Sequence, residues 1–494
     1  MNKKLIVFVF LTIFFVFFNV QTYSSILRNK NYDAYSFMAT VVSLENYAKG
    51  SSNITFFPDA LINTPHTNFF TFDILILKMI TGIDLLEIIY LIAFFSLILF
   101  LFSSYLFINK IMKNRKKTLV SIILILTIFQ YEVTTQSISA GLYNLADLTL
   151  RAFSYQIIGV SFLFLSLYFI WNYFEEDKLR YLFLFLLSSL FLFNLHLQIF
   201  LVSLTAILFI LLEFKLIKTK KFYKKIILPL AILFIICLIG LIWPFYNWFS
   251  LSTTTFSEFQ KGLIASGDLS FDVNHPSYYF NLLSVSIIGV IFLFREKNKF
   301  IKYWLIFMIG IIIISLLGFK IPLFYRFALF IKLMLIILII KNLNITNKKR
   351  YVFLLCLILL IGVLPMHQNI DISISRNNDL LLYDSIKKLN ITGEIILSDP
   401  KTSNLIQSTD NRVLFIPQGH IGNPNLLIVN DNHIKNYSLE ISINLYDFIK
   451  RKNISYIIVD KSLNPPFINL EQLNKVRKEL TYEDQFYEIF KLEK

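Results

Sequence analysis

Apolar runs of near-bilayer length recur along this chain, and no other feature restricts its fold so strongly. Leu85 to Ile108 is the clearest, with Glu87 its one charged residue. About twenty apolar residues in a helix cross a hydrocarbon core of about 30 Å. Similar runs continue to Leu364, Phe alone numbers 52, and charged residues are only 16% of the 494. The fold class that follows is an α-helical polytopic membrane protein. A net charge of +15 does not point to nucleic acid, because the basic residues collect in short loops between apolar runs, the positive-inside pattern. Cys237 and Cys356 lie within apolar segments and offer neither a staple for an exported loop nor a metal site.

Orientation read from the lysines gives about eleven transmembrane helices. Lys3 and Lys4 put the start of Leu5 to Val20 in the cytoplasm, and without a small-residue cleavage site this segment is expected to remain as the first helix. Residues 21–84 form a long first outer loop, and loops of that length usually carry function. Leu85 to Ile108 returns to Lys110, Lys113, Arg115, Lys116 and Lys117. As one helix, Tyr181 to Leu212 would be about 48 Å long and would leave Lys215, Lys218, Lys220 and Lys221 outside, against the charge rule. It is therefore divided near Asn194-Leu195-His196 into an outward and a returning half. Most acids of the membrane part fall outside on this topology, and the cytoplasmic face is expected to hold little but Lys and Arg.

At Pro365 the composition changes, dividing the chain into residues 1–365 and 366–494. The runs Glu394 to Leu397, Val413 to Ile416 and Tyr456 to Val459 read as buried strands, with a helical pattern from Leu439 to Lys452 between them. Alternating strands and helices imply a small α/β domain with a mostly parallel sheet. The topology places it on the extracytoplasmic side.

Chemistry-bearing residues gather on that side. Asp33, in Asn31-Tyr32-Asp33-Ala34-Tyr35, either caps the helix Ala34 to Tyr47 or serves as a general base on an acceptor hydroxyl. Asp147 and Arg151, four apart, share a helix face as a surface ion pair or as groups that order a substrate. His196 is an ionisable group inside an apolar run, either a hydrogen-bonded turn residue or a functional one. His275 lies in the outer loop Phe249 to Tyr279. Arg326 opens an apolar segment that contains Lys332 about 9 Å further on; a cation there anchors to the interface or meets an anionic, lipid-linked phosphate. P-loop, Gly-x-Gly-x-x-Gly and HExxH motifs are absent. Asp399-Pro400 and His420 read as loop residues.

Taken together, these features resemble the GT-C superfamily of membrane glycosyltransferases over nearly the whole length. The likeness rests on a first helix followed at once by Asn31-Tyr32-Asp33-Ala34-Tyr35, on the run of helices with an exported tail, and on Tyr325-Arg326-Phe327. Ile396-Leu397-Ser398-Asp399-Pro400 and Ile457-Ile458-Val459-Asp460 add to it. The resemblance implies a polyprenyl-phosphate-linked sugar donor, a glycan, lipid or protein acceptor, and hexosyl or pentosyl transfer with inversion at the outer face of the cell membrane. Asp33 matches the first-loop acid, Arg326 and Lys332 would hold the lipid phosphate, and His196 and Asp147 would line the sugar pocket. Many members carry Asp-x-Asp or Glu-x-Asp, whereas here Ala34 and Tyr35 follow Asp33; a divalent metal, Mg or Mn, is left open. Two other readings use the same features: a transporter or flippase of lipid-linked sugars, and a non-catalytic membrane protein whose exported domain binds a partner.

Overall fold

The computed structural model describes residues 65–134, 155–195, 197–214, 227–242, 291–316, 325–343, 378–399, 402–413, 438–461, 467–468 and 470–493, with Met38, Val41, Val42 and Glu45 before them. These residues are mostly helical, with a small sheet in the C-terminal part. They pack as two compact units, one drawn from Met1–Phe18, Ile92–Trp243 and Leu269–Asp371, the other from Asn19–Leu91, Pro244–Asp268 and Ile372–Lys494. The second unit thus joins the segment before α2 to the C-terminal sheet.

In chain order the helices are α1 (Pro65–Thr81), α2 (Leu85–Met112), α3 (Arg115–Thr134), α4 (Tyr155–Glu176), α5 (Leu179–Leu195), α6 (Leu197–Glu213), α7 (Leu228–Ile242), α8 (Lys299–Leu316) and α9 (Tyr325–Asn342). Among the described residues one stretch, Ile158–Glu176, is long and apolar enough to cross a membrane, at mean hydropathy 1.3. Ile98–Met112, Leu179–Phe193, Ile199–Glu213 and Leu333–Asn342 are apolar but shorter.

The division expected within Tyr181 to Leu212 is present: α5 ends at Leu195 and α6 begins at Leu197. Side-chain contacts show that α6 returns to the end from which α5 departs. Trp171 and Phe174, near the end of α4, meet Phe214 just past α6 at ring distances of 5.5 and 5.9 Å. Glu213 accepts the Lys299 N–H at 2.7 Å, so the last residue of α6 caps the start of α8. Lys341 of α9 pairs with buried Glu296 at 2.6 Å, Lys117 of α3 donates to the Lys341 carbonyl, and Lys110 of α2 donates to Asn172 of α4 at 2.6 Å. One end of the bundle therefore gathers the ends of α2, α4, α6 and α9 with the starts of α3, α5 and α8. Its short turns use left-handed residues, Lys113 at φ 51° and Asp177 at φ 58°. Asn114 accepts the Lys116 and Lys117 N–H groups at 3.1 and 3.2 Å, so α3 begins ahead of its apolar run. This cation-rich end also holds acids: Glu175, Glu213 and Glu296 are built into it as partners of cations and backbone N–H groups. An unpaired buried charge is costly, so cations pressed between helix ends need such partners.

Inside this unit an aromatic lattice ties α2, α4 and α8 together. Phe107 stacks on Phe164 at 5.2 Å and meets Phe300 edge-on at 6.4 Å; Phe300 continues to Trp171 at 5.6 Å and Trp304 at 5.2 Å. Small polar residues fill the closest crossings: Ser166 of α4 bonds Ser189 of α5 at 3.0 Å and Ser203 of α6 at 3.4 Å. Trp304 donates to Thr205 at 3.2 Å.

The second unit contains α1 and the C-terminal elements: α10 (Asn378–Lys388), β1 (Ile395–Leu397), α11 (Ser403–Ser408), β2 (Arg412–Val413), α12 (Leu445–Lys452), β3 (Tyr456–Asp460), α13 (Leu470–Leu473), β4 (Lys478–Glu483) and β5 (Tyr487–Leu492). The strand order is β2-β1-β3-β5-β4. β2, β1 and β3 run parallel, while β5 is antiparallel to β3 and to β4. The parallel part sits where the apolar runs are. The hairpin was not expected, since β4 alternates polar and apolar residues and one of its faces meets solvent. The expected helix Leu439 to Lys452 is interrupted at Asn444, which accepts the Asp447 N–H at 3.2 Å and starts α12. Asn is among the best N-cap residues, and here that preference overrides continuation.

Candidate functional site

Asp33, Asp147, Arg151, His196 and His275 lie outside the described residues. Arg326 and Lys332 are described as positions on α9 only. Six residues apart on a helix, those two positions are separated by about 120° around the axis and about 9 Å along it. Residues flanking Lys332 in the chain, Ile331 and Leu333, are buried. Met38, Val41 and Val42, helical as the stretch after Asp33 was expected to be, are buried too, and Glu45 pairs with Lys78 of α1.

The described polar groups of the second unit form two clusters. One is at the carboxyl ends of the parallel strands. In the order β2-β1-β3-β5-β4, the chain leaves β1 toward β2 on one side and leaves β3 toward β4 on the other, which makes the β1–β3 boundary a switch point of the kind where α/β domains bind ligands. Ser398 and Asp399 follow β1 and Asp460 ends β3, all buried. Asp399, however, is engaged in its own turn. Its side chain accepts the Thr402 N–H at 3.1 Å and the Thr402 hydroxyl, and Ser403 donates to its backbone carbonyl at 3.1 Å. This carboxylate builds the entry to α11, in keeping with its sequence reading as a loop residue.

The other cluster joins the turn before α2 to α10. Asp84 stands between Gly82-Ile83 and α2, and its Oδ1 accepts the Leu86 N–H at 2.9 Å, an N-cap bond. Its second oxygen accepts from Lys387 Nζ. Lys387 lies 4.9 Å from the ring centroid of buried Tyr383, one turn earlier on α10. Partial burial is the largest single influence and works against the charged form of both Asp84 and Lys387, but their hydrogen bonds and the attraction of neighbouring charges together outweigh it. The Asp84 carboxyl is held below the ordinary carboxylate range, and Lys387 above the ordinary lysine range. Burial pushes the Tyr383 hydroxyl up to about 12, against the opposing hydrogen bond of Lys387. Tyr383 therefore stays neutral at physiological pH while the other two stay charged. Such a cluster fixes position; it is not set up to transfer a proton near neutrality.

Sequence reasoning missed the Asp84–Lys387 pair. Asp84 is legible as a cap from its place before α2, but its partner is 303 residues away. Among the described residues no three His, Cys, Asp or Glu side chains converge as a metal site. No known protein family and no curated protein matches the chain.

Proposed function

We propose that this chain is an integral glycosyltransferase of the GT-C type in the cell membrane. It would move a sugar from a polyprenyl-phosphate donor to an extracytoplasmic glycan, lipid or protein acceptor, with inversion. The observation that carries the membrane part of this reading is the outer surface of the helical unit. Around a core built mainly of Phe, Leu and Ile, in which Ser103, Ser161, Ser166, Ser188, Ser189, Ser203 and Asn172 are also buried, Phe95, Phe183, Leu187, Leu208 and Phe234 stay exposed. A surface helix of a water-soluble bundle carries polar residues on that face. Packing through small polar residues, with apolar side chains outward, suits helices whose solvent is lipid. Helix length supports it as well: α2, at 28 residues, is about 42 Å long, enough to cross with some tilt. The cation-rich end that the described residues form supports a cytoplasmic face there.

The catalytic part rests on the first-loop acid. Asp33 deprotonates the acceptor hydroxyl, and Arg326 with Lys332 binds the donor phosphate and stabilises it as it leaves. Asp33→Asn tests this step. Asn caps a helix about as well as Asp but lacks the basicity. Single-turnover transfer from a polyprenyl-phosphate sugar by the folded variant is expected to fall at least about 100-fold. Transfer within a few-fold of wild type removes Asp33 from the reaction. A flippase would not consume the donor at all. Orientation is checked with cysteines at Asn474 and Asn114, both exposed. A membrane-impermeant thiol reagent applied to intact cells is expected to label the first and spare the second; the reverse pattern overturns the external site.

A further inference from the structure

At the cation-rich end of the helical unit the charges are unevenly answered. The turn from α4 to α5 carries Glu175, Glu176 and Asp177 beside Lys178 and Arg180, and Glu175 also pairs with Lys110 at 2.5 Å. The start of α8 has Glu213 on its N–H groups, and Glu296 takes Lys341 at 2.6 Å. The turn from α2 to α3 differs. Lys113, Arg115, Lys116 and Lys117 lie within five residues, and the chain has no acid between Glu87 and Glu132. None of the described acids pairs with Lys113, Arg115 or Lys117. Residues 214–227 and 343–352, which follow α6 and α9, add further cations and no acid. Lys113, Arg115 and Lys116 are exposed, and half-buried Lys117 reaches the Lys341 carbonyl at the end of α9. Like charges so close repel, and the first turn of a helix adds to the cost. An anion relieves it. Asn114 already accepts the Lys116 and Lys117 N–H groups, so the attraction lies in the side chains and not in the helix terminus.

We propose that the α2–α3 corner binds the phosphate of an anionic phospholipid of the cytoplasmic leaflet, through the Arg115 guanidinium and the ammonium groups of Lys113, Lys116 and Lys117. This rests on the membrane reading of the bundle. The planar guanidinium fork suits a phosphate, and the lysines add charge around it. Directly beyond the cations α3 turns apolar. Leu119 and Ile123, about one and two turns after Arg115 on the same face, are partly exposed, and no polar residue stands between them there. A phospholipid matches that order, an anion above and acyl chains beneath, whereas a free phosphate would use the cations alone. A general excess of cytoplasmic cations would spread anionic lipid around the whole bundle. Here the α4–α5 turn has its own acids, so the lipid is held on the α3 side.

Spin-labelled lipids separate this proposal from the reading beneath it. Full-length protein is reconstituted in phosphatidylcholine vesicles with a trace of spin-labelled phosphatidylglycerol or spin-labelled phosphatidylcholine. A motionally restricted component with either label reports a protein surface within the bilayer. Phosphatidylglycerol is expected to associate at least about fivefold more strongly than phosphatidylcholine, the gain from about one basic residue at an anionic headgroup. Lys113→Gln with Arg115→Gln is expected to remove most of that preference, and Lys178→Gln with Arg180→Gln to leave it in place. Arg115→Gln alone repeats the measurement should the double variant fold poorly. Inorganic phosphate, exchanged for chloride at equal ionic strength, is expected to leave the preference unchanged; its loss would assign the corner to free phosphate and overturn the lipid. A preference that survives the α3 variants, or falls as far with the α5 pair, overturns the proposal. Restricted lipid with no headgroup preference in the wild type overturns the proposal alone and keeps the membrane reading. No restricted component with either label overturns both.

Discussion

The two units of this protein share an apolar core and differ at the surface. In the helical unit, Phe, Leu and Ile fill the core together with serines and Asn172, and further Phe and Leu side chains, such as Phe95, Phe183 and Leu187, face outward. In the C-terminal elements, Ile396, Leu397, Ile457, Ile458 and Phe448 are inside, while Lys450, Arg451, Glu471, Lys475 and Glu479 are outside. Burial of apolar surface holds the sheet domain together. In the proposed lipid setting the bundle is held by close packing, aromatic contacts and a few interhelical hydrogen bonds, because lipid removes the hydrophobic drive between helices. Average hydropathy alone would not distinguish a buried core helix from a membrane helix; which side of each helix is polar does.

Substitutions that reverse polarity are the sharpest way to break this contrast. The largest effect is expected for Ile457→Ser in β3, where a fully buried side chain becomes a small polar one. The cavity and the unpaired hydroxyl together cost about 3–5 kcal/mol, read as loss of the C-terminal unit's thermal transition. Next comes Leu187→Asp, at an exposed position in the middle of α5. In water such a change is nearly silent; facing lipid it costs about 2.5–3.5 kcal/mol. Its counterpart Ile443→Asp, exposed beside α12, is expected within about 0.5 kcal/mol of wild type. Equal responses of Leu187→Asp and Ile443→Asp in a denaturation series would erase the contrast.

Gly82→Ala sharpens the comparison at the turn between α1 and α2. Nothing lies within 4 Å of an added Cβ, so the effect is conformational alone, about 1–2 kcal/mol for a left-handed Ala. The smallest effect belongs to the Asp84–Lys387 pair, half exposed and worth at most about 1 kcal/mol. Its pH signature is specific. Asp84 has a lowered folded pKa, so its contribution is present above the unfolded value of about 3.9 and is lost as pH falls through the folded value below that. Lys387 has a raised one, so its contribution is full below about 10.4 and is lost as pH rises through the folded value above that. The difference in melting temperature between wild type and Lys387→Met is expected to be flat between those limits and to vanish outside them. A difference that varies across neutral pH would assign the effect to other groups.

Several parts of this architecture were legible in the chain. The break between α5 and α6 follows from two independent constraints, bilayer thickness and lysine placement, that a single long helix violates together. The parallel strands were visible because a strand buried on both faces is a continuous apolar run. β4 and β5 were not, since a half-exposed hairpin with an alternating pattern does not stand out from a polar loop. Glu213 and Glu296 were also passed over: a carboxylate near lysines reads as surface charge until the cap at Lys299 and the contact with Lys341 place it. The candidate catalytic acid is a matter of local sequence, Asn31 to Tyr35. Its neighbours in space are set by long-range packing, which no local pattern encodes.

The Asp84–Lys387 bond also has a place in time. At about 5–20 residues per second, a ribosome makes Lys387 roughly 15–60 s after Asp84. Throughout that interval α1 and α2 are joined by a turn held by local bonds, among them those of the Gly82, Ile83 and Leu86 N–H groups. The ion pair forms only when α10 has been synthesised and brought to the same side. It is a late seal on a joint made early, so a nascent chain stalled before α10 would differ from the finished protein at a corner laid down near its beginning.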